Sequence, residues 1–371
     1  WEIHAQPELA WQEENTSGLV EQKLTGLGLK VKRLCGTGVV ALLKGSKPGR
    51  TIALRADMDA LTQTERTGCQ HSSSVDGIMH ACGHDVHTAI LVGVAEVLSG
   101  VRQELCGNVK FIFQPAEEDG PVGGARLLIE EGVLSDLPVD MIVALHVWPD
   151  LPLGTVGIRE GALMAASDRL TISIKGLGGH GAMPHHTADA VVAAAHIVTG
   201  IQSIVSRNID PLEPAVITIG SIKGGNRNDT IAEEALLLGT CRTFSHDTRM
   251  LAKKRIEQLS SQVASGFCVD CNCQYTLGYP PVINHSAAVD LVEMAVKESD
   301  HCGKVIRVDK PAMVAEDFAV YLEKVPGMLF WLGCGEGDLI SPLHNSNFLP
   351  PEECLPIGME VLTRTALRYL K

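Results

Sequence analysis

Short apolar runs alternate with helical patterns through residues 1–165, and this alternation constrains the fold more than any other feature of the chain. Thr51–Leu54, Val109–Phe113 and Met141–Leu145 are the clearest of these runs. The pattern predicts an α/β layer built on a largely parallel sheet. The order then changes. Leu170–Lys175, Ala215–Ser221, Ala235–Arg242 and Cys268–Leu277 read as strands, and Ala188–Ser206 and Thr248–Gly266 as helices, an order that suits a small α+β sandwich with its helices on one face. Gly278-Tyr-Pro-Pro281 punctuates the chain, after which the first pattern resumes to Lys371. The expected organisation is one α/β domain (1–166 and 280–371) interrupted by a compact α+β insert (167–279).

A length of 371 residues allows two or three domains at roughly 100–200 residues each. The formal charge is −13, and such a surface repels phosphate backbones and anionic lipid headgroups. Nucleic acid and membrane are therefore not expected as partners, and a small molecule is. No apolar run approaches the roughly 18–20 residues that span a bilayer, because the longest are cut by Glu96 or His196. Eleven cysteines without paired spacing read as reduced thiols rather than a disulfide framework, which favours a cytoplasmic location. The chain begins at Trp1, so an upstream targeting segment stays open.

Reactive side chains are densest in Met79-His-Ala-Cys-Gly-His-Asp-Val-His87. Cys82 and His84 are two apart, can point to one side of a turn, and are both good donors to zinc-like ions. Asp85 can accept a hydrogen bond behind them or cap the helical pattern Thr88–Leu98. A single histidine or cysteine here would be read as a cap or a buried thiol; the group reads as metal-binding. Phe113-Gln-Pro-Ala-Glu-Glu-Asp119 follows an apolar strand, where Pro115 fixes a turn and sets the acids at a sheet edge. A metal hydrolase needs one carboxylate as ligand and another to take a proton, and Glu117 and Glu118 can divide those tasks. His146 closes the strand Met141–Leu145, and His344 lies in the loop Ser341-Pro-Leu-His-Asn345. Either alone reads as structural; with the cluster they complete a two-metal set.

Competing motifs fail. Gly176-Leu-Gly-Gly-His-Gly181 matches G-x-G-x-x-G, but Pro184, His185 and His186 follow before a helix can start, and no acid ends a second parallel strand at the required distance. No G-x-x-x-x-G-K-[ST] loop or G-x-S-x-G elbow is present. Cys268-x-x-Cys271-x-Cys273 lacks a second ligand pair and reads as strand packing.

An ordered series of motifs resembles the M20 metallopeptidase family, in its aminoacylase and amidohydrolase branch, which includes hippurate and auxin-conjugate hydrolases. The series runs His4-x-x-Pro-Glu-Leu9, Leu54-Arg-Ala-Asp-Met-Asp-Ala-Leu61, the Cys82/His84 cluster, Gln114-Pro-Ala-Glu-Glu118, Gly178-Gly-His-Gly-Ala-Met-Pro184, Ala315-Glu-Asp-Phe318 and the His344 loop. The resemblance implies two divalent ions (zinc, manganese, cobalt or nickel). Cys82 would bridge them, His84 and His146 would hold one, Glu118 and His344 the other, and Glu117 would be the general base. It further implies that the insert is a lid and homodimer contact, that His180 stabilises the oxyanion in a partner's site, and that Arg242 holds a product carboxylate. Asp229 and Thr62 stand where the branch usually has Asn and Pro, and Asn228 could replace the first.

The expected activity is hydrolysis of an N-acyl amino acid or related small amide. A dipeptidase or short-peptide exopeptidase is the alternative within enzymes, and a catalytically silent metal-containing binding protein the alternative outside them. An unspent Glu117 argues against the silent protein, which has no need of a second acid beside its metal.

Overall fold

The apolar runs of the first segment become strands of one eight-stranded sheet in the computed structural model, which describes residues 1–335, 337 and 341–371. Six strands precede the insert: β1 (Lys30–Leu34), β2 (Gly38–Lys44), β3 (Lys47–Asp57), β4 (Cys106–Gln114), β5 (Met141–Pro152) and β6 (Thr155–Ile158). Lys304–Arg307 and Gly327–Gly335 follow it. Across the sheet the order is β1, β2, β4, β3, β5, Gly327–Gly335, β6, Lys304–Arg307.

Parallel pairing holds in the centre, where β3 lies between β4 and β5, and β5 continues to Gly327–Gly335. The margins differ from the expectation of a largely parallel sheet. β1–β2 and β2–β4 are antiparallel, as is β6 with Gly327–Gly335. The cause at β1–β2 is local: Cys35 and Gly36 both take positive φ and reverse the chain at once, whereas a parallel return needs a crossover of about a dozen residues.

Four helices of this unit matter for the site: α1 (Glu2–Ala5), α2 (Glu14–Gly26), α3 (His84–Gly100) and α4 (Gly123–Glu130). Ile90, Val94 and Leu98 recur at helical spacing on α3 and pack in one core with Leu54, Phe111 and Val143 from the strands and Val361 from the helix Cys354–Tyr369. Burying that stripe fixes the rotation of α3, and so the direction in which its first residue, His84, points.

The second unit is Met164–Pro281 with Ala312–Glu316. Its antiparallel sheet runs Ala215–Gly224, Glu234–Thr243, Ser167–Lys175, Asp270–Tyr279. Leu170, Ile172 and Ile174 alternate with exposed Arg169, Ser173 and Lys175, so one face is built for burial. Helices Ala190–Arg207 and His246–Gly266 cover it, capped by Asp189 and Ser245. Ala190–Arg207 is long and apolar enough to cross a membrane by composition. Its Ala190, Ala193, Ala194, Ile197, Ile201 and Ile204 instead form the stripe that packs into this unit's core. Ala312–Glu316 joins the unit because the Ala165 N–H donates to the carbonyls of Ala312 and Val314.

Candidate metal centre

Gly83 makes the turn between Cys82 and His84 possible. Its φ is +84°, and a Cβ there would stand 2.5 Å from Val147 Cγ2. Only glycine meets both conditions, so the ligand-type residues flank an obligatory turn at the start of α3. We expect Gly83→Ala to lower unfolding free energy by about 2–4 kcal/mol through backbone strain and overpacking, read as a shifted urea midpoint at unchanged slope.

The donor atoms converge within the first unit. Cys82, His84 and His146 place one donor each within 4.8 Å of one another; so do Cys82, Glu118 and His344, and so do His84, Glu117 and Glu118. Cys82 belongs to two of these sets. Cys82 Sγ is 3.4 Å from His146 Nε2, and His344 Nε2 is 3.1 Å from Glu118 Oε1. Tetrahedral bonds of about 2.0–2.3 Å put neighbouring donors about 3.4 Å apart, so this spacing suits a zinc-sized ion.

The imidazoles are also oriented for it. His84 Nδ1 donates to the Asp59 carbonyl at 2.9 Å and His146 Nδ1 to the Val147 carbonyl at 2.7 Å. Each ring therefore turns Nε2 toward the other donors, the arrangement that metal-binding histidines require. His84 Nε2 is fully buried with no hydrogen-bond partner among the described residues, an orphan that a cation would satisfy. His344, half-exposed and at φ +62°, is set by its N–H donating to the Ala81 carbonyl at 2.8 Å. Burial pushes the Cys82 thiol up and the His146 imidazole down. Hydrogen bonds to Cys82 and Glu118 push His344 up to about 10. A cluster that shares protons so tightly is one in which a divalent ion can replace them.

The acidic loop is braced from beneath. The expected sheet edge is not where it starts, because β4 lies between β2 and β3; the acids leave the carboxyl end of an interior strand instead. Ala116 takes a φ of +55°, and its N–H donates to Glu13 Oε1 at 2.9 Å. The next two N–H groups, of Glu117 and Glu118, donate to Asp59 Oδ1 and Oδ2 at 3.0 and 2.9 Å. Glu117 is only 6% exposed, and its Oε1 accepts from the Asp317 N–H at 3.3 Å.

Glu13 is fully buried, and burial pushes its pKa up to about 7. The folded chain thus holds that proton after the unfolded chain has lost it, so stability falls as pH rises from the unfolded value of 4.5 through about 7. Glu13→Gln removes the titration. Between about pH 5 and about pH 8, wild-type metal-free protein should lose about 2–3 kcal/mol of unfolding free energy relative to this variant, by urea denaturation.

A buried ion network ties the acidic loop to α3. Arg55 donates to Asp57 at 2.6 Å, to Asp317 at 2.8 Å and to Gln114 at 3.0 Å. Asp57 Oδ1 bonds His87 Nδ1 at 2.6 Å, and His87 Nε2 accepts from the Val147 N–H at 2.9 Å. Losing the arginine would strand two buried carboxylates, a defect worth about 3–5 kcal/mol. Sequence reasoning did not single out Asp59, Glu13, Arg55, Asp57, His87 or Asp317 as site-builders. The signal available was Arg55-Ala-Asp57-Met-Asp59, three charges at and just beyond the apolar end of β3.

The remaining site expectations fall in the second unit. His180 is exposed on the short strand Gly179–His180, paired with Thr230–Ile231, and its Nδ1 accepts from the Ala182 N–H at 3.0 Å. Arg242 lies on Glu234–Thr243 and donates to the Cys241 carbonyl at 3.3 Å. Asn228 is exposed, and Asp229 forms a two-pronged pair with Arg227 at 2.9 Å for each bond, which balances the charge the Asn-to-Asp difference introduces.

Residues 53–368 match peptidase family M20/M25/M40. The chain is 40% identical to an N-acetyldiaminopimelate deacetylase of Streptococcus uberis, over 95% of this chain and 92% of that one. It is 39% identical to an N-acetyl-L-cysteine deacetylase of Bacillus subtilis, over 99% and 86%. Among solved structures, a dinuclear metal-binding peptidase of family M20 from Bacillus subtilis superposes with a TM-score of 0.87 at 34% identity, covering 100% of this chain and 96% of that one. With the match running through nearly all of its length, the chain belongs to peptidase family M20/M25/M40.

Proposed function

We propose that this protein hydrolyses the amide bond of N-acyl amino acids or related small amides, with two divalent ions held by Cys82, His84, His146, Glu118 and His344. The observation that carries the reading is the pair of donor sets sharing Cys82, with a further carboxylate, Glu117, within 4.8 Å of His84 and Glu118 donors. The two deacetylase relatives point the same way, since each by name removes an acyl group from an amino acid.

When bound, the ions would supply Lewis acidity, which makes water a stronger acid and stabilises negative charge on the carbonyl oxygen. Glu117 takes a proton from the attacking water as the O–C bond forms. The same carboxyl returns that proton to the nitrogen as the C–N bond breaks, giving a carboxylic acid and a free amino acid. Asp59 and Glu13 keep the acid in place by fixing three consecutive backbone N–H groups, so the chemistry does not wait for a loop to order.

The second unit, by this reading, is a lid and homodimer contact. His180 would stabilise the oxyanion in a partner's site, Arg242 would hold the product carboxylate, and Asn228 and Asp229 would border the substrate. Support for the dimer is the outer strand Ala215–Gly224, which among the described residues pairs on one side only and exposes Val216 and Ile222. All eleven cysteines are free, which fits a reducing compartment.

A metal-reconstituted screen read by amine release tests the activity. With Mn²⁺, Co²⁺ or Zn²⁺ added, turnover should be highest on acyl-amino acids. Preference for dipeptides would move the assignment to a peptidase, and silence across the panel with metals bound would sink the enzymatic reading.

A further inference from the structure

A second group of metal-type donors lies outside the centre just described. His4 on α1 is 3% exposed, and its two ring nitrogens face opposite carboxylates. Nδ1 is 2.8 Å from Asp85 Oδ2, and Nε2 is 3.3 Å from Glu65 Oε1. Cys69 Sγ lies 3.8 Å from the same Glu65 oxygen, and the three donor atoms of His4, Glu65 and Cys69 all fall within 4.8 Å of one another.

The loop that carries two of them is fixed. Glu65 Oε2 accepts from the Ser73 N–H at 2.6 Å, and the Thr67 hydroxyl donates to Oε1. Ser72 Oγ donates to the Cys69 carbonyl at 2.6 Å and lies 3.5 Å from its sulfur. These bonds hold Glu65 Oε1 and the thiol on the side facing His4.

We propose that His4, Glu65 and Cys69 form a separate site for one soft divalent cation of the zinc class, with Asp85 orienting the histidine. Three features support it. The donors are one imidazole, one carboxylate and one thiol, a set that zinc and cobalt accept. Separations of 3.3 and 3.8 Å bracket the spacing of about 3.4 Å expected around a tetrahedral ion of this size. Asp85 accepts from Nδ1 and so aims Nε2 at the gap, the carboxylate–histidine–metal order seen at zinc sites. Three protein ligands leave a fourth position for water, and Cys69 is partly accessible, which provides entry. Glutamate and thiolate carry two negative charges, which one divalent ion neutralises.

The rival occupant of the gap is a proton. Burial works against charge on His4, but Asp85 and Glu65 overcome it and push its pKa up to about 9. A cation would take the place of the Nε2 proton. By joining α1 to the 65–73 loop, and through His4 to Asp85, the residue after His84, it would clamp the amino-terminal segment against the start of α3.

Cobalt counting separates the two. Full-length protein is stripped with chelator and titrated with Co²⁺, and bound metal is measured by elemental analysis and by thiolate-to-cobalt absorption. Wild type should take a third equivalent that Cys69→Ser lacks, with the other two retained. Equal cobalt counts in wild type and C69S would overturn the site in favour of the proton. Should C69S not fold, alkylation of wild type mapped to the Cys69 peptide decides between the same two occupants: zinc should slow it, and an equal rate with and without zinc would refute the site. In Cys82→Ala the protection of Cys69 should persist. Failure of the Cys82 centre and failure of this one are therefore distinguishable.

Discussion

Glu117→Gln should bind its metals as wild type does and turn over about 10²–10⁴-fold more slowly, the range lost when a positioned acid–base group is removed. The expectation follows from position. Glu117 hangs from the same turn as Glu118, its backbone N–H is held by Asp59, and its side chain reaches the Asp317 N–H. Glutamine keeps that shape and hydrogen bonding but cannot take a proton. The fall should appear in kcat rather than in KM, because substrate and transition state lose different things. Elemental analysis on the same sample shows whether metal was retained. Activity within a few fold of wild type would remove Glu117 from the role of base.

Cys82→Ala should have the opposite signature, with the ions of this centre and the activity lost together. Cys82 is common to the set with His84 and His146 and the set with Glu118 and His344, so its removal weakens both positions at once. Changes even behind the direct ligands of such sites cost about 10–100-fold in affinity, and loss of a shared thiolate should exceed that. The cavity left by one sulfur is small, so the apo variant should fold. With metal at about a hundred times the dissociation constant of the Cys82 centre, wild type should gain about 3 kcal/mol of stability that C82A lacks. Equal metal-induced shifts in thermal midpoint for the two proteins would contradict the assignment.

The contrast between the two variants also shows what could be read before any coordinates were known. Cys82, His84, Glu117 and Glu118 stood out because their chemistry is crowded into short runs beside apolar strands. The strands were legible for the same reason: Val109–Phe113 is apolar throughout apart from Lys110, and the observed strand, Cys106–Gln114, adds only its flanks. The supports were harder to see. Asp59 acts on Glu117 from 58 residues away, Glu13 on Ala116 from 103, and Arg55 on Asp317 from 262. No periodicity links such pairs, and each residue alone reads as ordinary surface charge. Arg55 is 1% exposed, which only the packing of β3 between β4 and β5 could establish. The antiparallel margins were missed because strand direction is decided by turn geometry at Cys35 and Gly36, not by hydrophobic pattern.

Anomalous diffraction from crystals grown with zinc or manganese addresses the donor convergence itself. At this centre, apart from any ion at His4, Glu65 and Cys69, the account predicts two adjacent peaks with Cys82 Sγ between them, one bordered by His84 and His146 and the other by Glu118 and His344. A single peak, or two of which either lies out of reach of that sulfur, would contradict it.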